Sequence, residues 1–327
     1  MHYVVTGATG FIGGYLTARL LADGHVVSAL VRTPEQARAL ARHGVRPFIG
    51  DVLDKESVRR AMRRADGVFH LAAVVWVGSR NRRRAEAVNV AGTRHVLQVM
   101  RELHVPKGVH TSSLAVNGDT KGRVVDESYH HHGRLPSLYQ RTKWQAHYEV
   151  AVPMMRQGLP LMIAMPGAVY GPGDRGDLAG AIGAHLRGRL PAAPTRTAFC
   201  FAHVEDVAAG LLAAMERGRP GETYILGGPA HPLRDVLRRA GRLAGRRHPP
   251  LPLPWWALRP IAWGAQGLGF ALPPLRGAAE TLRLGAGTTL LGRDAKARAE
   301  LGFAPRSLDE GLPDTVRSIL QDLFEEG

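Results

Sequence analysis

The chain has 327 residues, of which 45% are apolar and 22% are charged, a balance that is ordinary for a globular protein with a large core. The formal net charge is +15, but the basic residues are mostly arginines spread over many predicted helices. Because no aromatic residues alternate with them, this charge does not predict a nucleic-acid site. The single cysteine, Cys200, excludes an internal disulfide and favours a reducing, cytoplasmic location. No apolar stretch reaches the length of about 18 residues that a transmembrane helix needs.

The first fourteen residues, MHYVVTGATGFIGG, predict a strand, a glycine-rich turn and a helix. Residues 3–6 form a β-branched and aromatic run, and residues 11–21 have helical apolar spacing. Gly7, Gly10 and Gly13 lie between the two, three residues apart. A helix N-terminus offers unpaired N–H groups to a phosphate, and glycine lets the phosphate approach the backbone closely. We therefore predict a nucleotide-binding turn, with a plain strand-to-helix turn as the alternative.

Further strand-like runs follow this first unit, and helical segments separate them. They lie at residues 25–32, 45–49, 67–71, 108–111 and 161–165. Repeated strand–helix units of this length predict a parallel sheet with helices on both faces. The predicted fold class is α/β: a Rossmann-type doubly wound parallel sheet with a smaller, mostly helical C-terminal substrate part.

The composition changes at Pro166, after which glycine and proline are frequent. We interpret residues 1–166 plus about 197–227 as a dinucleotide-binding domain, and residues 167–196 plus about 228–327 as a substrate-binding part. This interpretation brings the chain back to the main sheet twice, at Ala198–His203 and at Thr223–Leu226.

The end of the second strand bears on the choice of cofactor. In a dinucleotide-binding fold this position faces the adenosine ribose, where an Asp or Glu accepts hydrogen bonds from the ribose hydroxyls. Here the strand ends Leu30-Val31-Arg32-Thr33, with an arginine and no acid. This pattern favours NADP(H) over NAD(H). The alternative is that Arg32 is simply an exposed loop residue.

Tyr139 and Lys143 are four residues apart on a predicted helix, so their side chains share one face. A nearby ammonium lowers the pKa of a phenol toward the range that is useful for proton transfer. Ser113, at the end of the fifth strand, offers a hydroxyl to a substrate carbonyl oxygen. The order of glycine turn, serine and Tyr–Lys pair predicts hydride-transfer chemistry with tyrosine as the general acid or base.

Three adjacent histidines, His130, His131 and His132, lie in a polar loop. Three successive side chains of a regular element cannot all face one metal ion. We therefore interpret them as loop residues and predict no metal site.

A collinear series of motifs resembles the extended short-chain dehydrogenases/reductases. The matching stretches are TGATGFIG (6–13), GDVLD (50–54), HLAA (70–73), NVAGT (89–93), HTSSLAV (110–116), YQRTK (139–143), PGAVYGPGD (166–174) and HVEDVA (203–208). The tail fits as well, with GETYILGG (221–228), LPLPWWALRPIAW (251–263) and DAKARAELGFAPR (294–306). The pattern resembles the dihydroflavonol-4-reductase-like branch, and most closely the hopanoid-associated sugar epimerase subgroup.

The resemblance implies a role for each matching residue. The pyrophosphate would be lined by Gly7, Gly10, Phe11, Ile12 and Gly13. Arg32 would contact the 2′-phosphate, and the adenine would be held by Asp51 and Val52. The nicotinamide would be flanked by Ala72, Ala73, Pro166 and Val169. The catalytic triad would be Ser113, Tyr139 and Lys143, with Lys143 also bonding the nicotinamide ribose. Asn117 stands where the family often has tyrosine, a departure that would change the substrate wall.

Two enzymatic functions and one non-catalytic function fit these residues. The first is an oxidoreductase that uses NADPH on a small, hydrophobic carbonyl substrate. The second is a nucleotide-sugar epimerase or dehydratase that keeps its NAD(P) and returns the hydride. The third is a non-catalytic NADP(H)-binding sensor, which would not need the Tyr–Lys pair.

The apolar, tryptophan-rich segment 251–274 favours the oxidoreductase, because it predicts a pocket for a flat hydrophobic substrate. The alternatives for this segment are a core helix or peripheral contact with a membrane. The resemblance also implies a homodimer formed through two long helices, at about 84–103 and 138–157.

Overall fold

A computed structural model describes residues 1–75, 82–246, 248–257 and 287–325, and the backbone alone at Trp255. The chain alternates strands and helices, as the sequence predicts. The strands are, in chain order, β1 (His2–Thr6), β2 (Val26–Val31), β3 (Arg46–Ile49), β4 (Gly67–His70), β5 (Gly108–Thr111), β6 (Leu161–Pro166), β7 (Ala168–Tyr170), β8 (Ala192–Pro194), β9 (Ala198–His203), β10 (Thr223–Leu226), β11 (Ala230–Pro232), β12 (Leu251–Leu253) and β13 (Thr289–Leu290).

The helices separate and cover these strands. They are α1 (Phe11–Ala22), α2 (Pro34–Ala41), α3 (Lys55–Met62), α4 (Arg82–Glu86), α5 (Thr93–Glu102), α6 (Leu138–Trp144), α7 (Val152–Arg156), α8 (Asp177–Leu186), α9 (Val204–Arg217), α10 (Leu233–Leu243), α11 (Ala295–Leu301) and α12 (Leu308–Glu325). Short 3₁₀ turns occur at Leu114–Asn117 and Trp255–Ala257.

Seven parallel strands form the main sheet in the order β10-β6-β5-β4-β1-β2-β3. Both faces of this sheet are covered, which is why its strands are nearly continuous apolar runs. One face carries a buried cluster that includes Leu16, Phe69 and Leu211, and the other a cluster that includes Val68, Leu97 and Ile163. The predicted doubly wound α/β fold is confirmed.

One strand assignment is corrected by the structure. Thr223–Leu226 joins the main sheet beside β6, as predicted, but Ala198–His203 does not. That strand, β9, pairs with β7, β11 and β13 in a separate small sheet. Its sequence indicates a strand correctly, but the partner depends on contacts that are distant along the chain. The division of the chain into two domains stays a prediction.

Two long helical runs flank β5 and continue through a π-helical turn each. The first consists of α4, the π turn Ala87–Gly92 and α5, and the second of α6, the π turn Gln145–Ala151 and α7. The second run begins with a capping box, in which the side chains of Ser137 and Gln140 each bond the other's backbone N–H. The predicted helices at about 84–103 and 138–157 are confirmed.

The apolar segment 251–274 is described only as far as residue 257. There, β12 pairs with β8, and the Trp256 side chain is 64% exposed. The rest of the segment lies outside the described residues, so its predicted roles stay open. Among the described residues, no helix combines the length and the apolar character that crossing a membrane requires.

The glycine turn gives a test of the fold. A β-carbon on Gly13 would lie 2.0 Å from the Gly7 carbonyl oxygen, whereas one on Gly14 would meet nothing nearer than 3.9 Å. We expect Gly13→Ala to lower the free energy of unfolding by about 2 kcal/mol, because two rigid backbones must separate. Gly14→Ala is the matched control and should raise it by about 0.5 kcal/mol, through better helix propensity. Urea unfolding followed by circular dichroism measures both, and equal stabilities for the two variants would contradict the close packing.

Candidate active site

A cavity of about 1610 Å³ opens at the carboxyl ends of the main-sheet strands. Its wall includes the residues that directly follow β1, β4, β5 and β6, namely Gly7, Leu71, Ser112 and Gly167. In open α/β sheets this edge is where ligands bind. The cavity therefore lies where the sequence pattern predicts the cofactor.

The glycine turn forms one end of this cavity. Gly7 has a φ of +81°, and a β-carbon there would lie 2.8 Å from the Ala72 backbone nitrogen. Gly10 is the N-cap of α1, and no side chain among the described residues caps this helix end. The first N–H groups of α1 thus remain available to an anion. A turn that admits no β-carbon and a helix N-terminus without a side-chain cap together fit a diphosphate.

Every cofactor-binding and catalytic residue predicted from the sequence lies in the wall of this one cavity. The predicted residues in the wall are Gly7, Gly10, Phe11, Ile12, Gly13, Arg32, Asp51, Val52, Ala72, Ala73, Ser113, Tyr139, Lys143, Pro166 and Val169. Asn117 is not among the wall residues that the structure describes, and its side chain is 1% exposed. The expectation that Asn117 changes the substrate wall is therefore not met. The individual roles of the wall residues stay predictions.

The catalytic candidates meet between α6 and the end of β5. Lys143 is 5% exposed, and its Nζ donates a hydrogen bond to the Thr111 carbonyl oxygen at 2.6 Å. Burial lowers the pKa of this lysine to about 8. The Ser113 hydroxyl bonds the phenol of Tyr139. The strand end therefore touches both members of the Tyr–Lys pair.

The pKa of Tyr139 lies above its ordinary value rather than below it. Burial raises this pKa, and the hydrogen bond from Ser113 lowers it by a smaller amount. The sequence predicts a lowering by Lys143, but the lysine ammonium is directed at the Thr111 carbonyl. Tyr139 is therefore held protonated at neutral pH, the form that can give a proton to a carbonyl oxygen.

Three buried histidines lie behind the Tyr–Lys pair, and the sequence analysis missed them. His70, His110 and His147 are each at most 3% exposed. Burial lowers the pKa of His70 and of His147 to about 3, and the charge of Lys143 lowers both further in the same direction. The pKa of His110 is lowered well below its ordinary value by burial, Lys143 and the other two histidines. All three are therefore neutral in the folded protein.

The hydrogen bonds of His70 fix its tautomer. The Thr93 hydroxyl donates to the Asn89 carbonyl oxygen at 2.7 Å, so its oxygen must accept from His70 Nε2–H at 3.0 Å. His70 Nδ1 is then an acceptor, and Thr6 donates to it at 2.7 Å. By contrast, neither ring nitrogen of His110 has a hydrogen-bond partner among the described residues. The His110 ring stacks on His70, with centroids 5.3 Å apart.

The later part of the chain also contributes to the cavity wall, with both apolar and charged side chains. The apolar ones include Leu178, Ala181, Phe199, Phe201, Leu233 and Leu290. The described charged residues of this later part in the wall are Asp174, Arg175, Asp177 and Asp322. Burial raises the pKa of Asp174 and of Asp177. This side of the cavity suits an apolar ligand better than an anionic one.

The neutral histidines predict a loss of stability in acid. Each has an ordinary pKa of 6.5, so each binds a proton below this pH in the unfolded chain. In the folded chain the pKa of His110 is well below this value, and His70 and His147 stay neutral down to about pH 3. The free energy of unfolding is highest above pH 6.5 and falls as the pH is lowered toward 3. At pH 5.5, one unit below the ordinary pKa, the loss is about 1.4 kcal/mol per histidine. Urea unfolding at pH 7.5, 6.5 and 5.5 measures this slope.

His110→Phe isolates one of these histidines. It removes one buried titrating group and two unpaired nitrogens, so we expect a shallower pH dependence and about 1 kcal/mol more stability at pH 7.5. His43→Gln is the control, because it replaces a histidine that is exposed rather than buried. Identical slopes for wild type and His110→Phe would show that His110 is not neutral and buried in solution.

The comparisons with known proteins agree with this geometry. The family model described as "NAD dependent epimerase/dehydratase family" matches residues 3–227. The chain is 32% identical to sterol demethylase protein B of Methylococcus capsulatus, over 97% of each chain. It is 31% identical to a putative dihydroflavonol 4-reductase of Synechocystis, over 96% of this chain and 93% of the relative.

Another relative and a solved structure extend the agreement. The chain is 33% identical to the 4-hydroxy-2-methyl-3-oxo-4-farnesyl-3,4-dihydroquinoline-1-oxide ketoreductase of Stigmatella aurantiaca, over 97% of this chain and 96% of the relative. The crystal structure of gox2253 superposes with a TM-score of 0.85 at 30% identity, and 98% of each chain is covered. With the glycine turn and the Tyr–Lys pair in one cavity, these matches show that the chain belongs to the NAD-dependent epimerase/dehydratase family and is an NAD(P)-dependent enzyme of the extended short-chain dehydrogenase/reductase type.

Proposed function

We propose that the protein is an NADP(H)-dependent oxidoreductase that interconverts a carbonyl and an alcohol on a small hydrophobic substrate. The observation that carries this proposal is a group of apolar side chains in the same cavity wall as the Tyr–Lys pair, among which Phe199 and Phe201 contact each other edge to face. An aromatic and aliphatic wall beside a proton donor suits a ketone on an apolar skeleton.

The cofactor would be held by residues that fit its parts. The glycine turn and the N-terminus of α1 would bind the pyrophosphate, Asp51 and Val52 the adenine, and Pro166 with Val169 the nicotinamide side. When bound, NADPH supplies the hydride. The chain's own task is then to orient the carbonyl and to move one proton.

Tyr139 would donate that proton. Its raised pKa keeps the phenol protonated at neutral pH, and the Ser113 hydroxyl, bonded to the phenol, would hold the carbonyl oxygen beside it. Lys143 would stabilise the phenolate that remains if its ammonium turned from the Thr111 carbonyl oxygen toward Tyr139, which is one helical turn away. In the direction of alcohol oxidation the same groups would act in reverse.

The preference for NADP(H) rests on Arg32. This residue directly follows β2, is exposed and lies in the cavity wall. Its backbone N–H donates to the Gln36 side chain at 3.0 Å, and its guanidinium would contact a 2′-phosphate. Arginine binds phosphate oxygens through paired hydrogen bonds.

The charge of the substrate side supports a hydrophobic substrate. Asp174, Asp177 and Asp322 outnumber Arg175 among the charged residues that the structure describes there. This balance would repel the diphosphate of a nucleotide sugar. The names of two relatives refer to a sterol and to a farnesylated quinoline, which supports a substrate of similar apolar character.

A nucleotide-sugar epimerase or dehydratase is the second candidate. The family description that matches residues 3–227 favours it, since that family is named for epimerases and dehydratases. This function would use the same Ser113, Tyr139 and Lys143. It would differ in keeping NAD(P) bound and returning the hydride to the sugar.

The assembly and setting of the protein belong to this proposal as well. We propose that residues 1–166 plus about 197–227 form the dinucleotide-binding domain and the remaining residues the substrate-binding part, with Phe199 and Phe201 of the first also lining the substrate side of the cavity. A homodimer would form through the two long helical runs that contain the π turns. The protein would act in the cytoplasm, with membrane contact through 251–274 as an additional option.

Tyr139→Phe tests the catalytic role. With NADPH and a steroid ketone as the probe, we expect kcat to fall about 1000-fold, because the general acid is lost. The dissociation constant for NADPH, measured by nucleotide fluorescence, should change less than about threefold. Tyr148→Phe is the control: Tyr148 lies on the same helical run but is not among the described wall residues, and its hydroxyl donates to the Tyr129 carbonyl oxygen at 3.4 Å.

The outcomes separate the three functions. Unchanged turnover in Tyr139→Phe would contradict the proposed chemistry. Redox-neutral conversion of UDP-glucose without NADPH consumption would favour the epimerase. NADPH binding that is the same in wild type and Tyr139→Phe, with no turnover of either probe, would favour the sensor.

Arg32→Ala tests the cofactor preference. The loss of a charged contact to the 2′-phosphate should raise the KM for NADPH about tenfold to 100-fold and leave the KM for NADH within about twofold. Arg38→Ala is the control, because Arg38 pairs with Glu35 at 3.0 Å on the same loop and helix and is not a described wall residue. Equal effects of Arg32→Ala on both cofactors would contradict a 2′-phosphate contact.

A further inference from the structure

We propose that His147 is a positioning residue for the Tyr–Lys pair, which it holds in register with the end of β5 through its hydrogen bond to Ser112. The proposal concerns the same site as the proposed function and rests on it for its effect on turnover. The geometric part is independent of the substrate and can be tested without one.

The spacing of three side chains along one helical run is the first observation. Tyr139, Lys143 and His147 are each four residues apart, so they form a row along one face. The row begins at the cavity wall and leads into the interior, where His147 is 3% exposed. His147 lies in the π turn Gln145–Ala151, whereas the other two lie in α6.

The strand end that faces this row contacts all three of its members. The Thr111 carbonyl oxygen accepts from Lys143 Nζ at 2.6 Å, and Ser113 bonds the phenol of Tyr139. Between these two residues, the Ser112 hydroxyl shares a hydrogen bond of 2.7 Å with His147 Nδ1. Three consecutive residues of the strand end thus join three successive turns of the helical run.

The bond to His147 is the one that does not involve a reacting group. Ser112 is 4% exposed, and its backbone N–H donates to the Ala164 carbonyl oxygen of β6 at 2.7 Å. Its backbone is therefore fixed to the sheet while its side chain is fixed to the helix. Without His147 the Ser112 hydroxyl would be buried and unpaired. The hydrogen bond that fixes the distance between the strand end and the helix would then be lost.

His147 keeps this bond in neutral form. Lys143 faces it from the preceding turn, His110 from β5 and His130 from the loop before α6. Burial, Lys143 and His130 all act to lower the pKa of His147. A neutral imidazole next to the ammonium avoids the repulsion that a second buried cation would cause, so the contact persists over the pH range in which Lys143 titrates.

The titration of Lys143 reports on this geometry. The protein has only five lysines, so labelling with ¹³Cε-lysine gives five NMR signals. The signal that is missing from the spectrum of Lys143→Met belongs to Lys143. In the wild type this signal should titrate near pH 8. We expect His147→Leu to lower the midpoint by about one unit, because the Thr111 carbonyl is no longer held against the ammonium.

Two variants show whether the hydrogen bond is responsible. His147→Gln keeps a neutral group that can bond Ser112 and should restore the midpoint to within about 0.3 units of the wild type. His110→Phe is the matched control. Like His147, His110 is buried and has its pKa lowered by the charge of Lys143, but its ring nitrogens bond no described residue. This substitution should leave the Lys143 midpoint unchanged.

Turnover gives the second readout. With NADPH and a steroid ketone, His147→Leu should lower kcat about tenfold and change the KM for NADPH less than about twofold, since the pair is misplaced while the cofactor site is intact. Unaltered Lys143 titration in a folded His147→Leu would overturn the inference, whatever the turnover. Absent turnover in the wild type would instead count against the proposed function alone.

A smaller substitution covers the case in which His147→Leu does not fold. Ser112→Ala removes the other half of the hydrogen bond and only one oxygen atom from the interior. Like His147→Leu, it should lower the pH midpoint of the Lys143 titration. A midpoint equal to that of the wild type in folded Ser112→Ala would likewise overturn the inference.

Discussion

The buried ammonium of Lys143 is the constraint on which the rest of the site depends. A charge at 5% exposure is costly unless hydrogen bonds compensate for the lost water, and here the Thr111 carbonyl provides one at 2.6 Å. The cost appears as a pKa of about 8 instead of 10.5. Because the compensating group belongs to the end of β5, the proposed chemistry would require that strand and helix keep a fixed distance.

Burial and the ammonium together determine the charge of the surroundings. Burial is the larger cause of the lowered pKa values of His70, His110 and His147, and the charge of Lys143 lowers all three further. Tyr139 likewise stays protonated, because burial outweighs the hydrogen bond from Ser113. Lys143 is therefore a cation among these neutral groups, and in the proposed chemistry Tyr139 would be the proton donor.

The sequence predicts what local patterns determine. The strand positions and the glycine turn both follow from a few adjacent residues, and the structure confirms them. The sequence does not predict which sheet Ala198–His203 joins, because strand pairing depends on segments that are distant along the chain. The histidines are missed for a related reason: His70 and His110 are neighbours only through the β4–β5 register. His147 carried a local signal, its spacing of four from Lys143.

The two π turns explain how the long helical runs reach the strand ends at the level of the site. In the first, Asn89 is 1% exposed and bonds both the N–H and the carbonyl of Val74, in the segment that follows β4. In the second, His147 bonds Ser112, directly after β5. Asn89 also donates to the Thr142 hydroxyl, beside Lys143, so the two runs are joined to each other. A π turn shifts the helix face by one residue, and π turns are frequent at functional sites. The polar side chains that meet the strand ends are thus placed by irregularities inside otherwise regular helices.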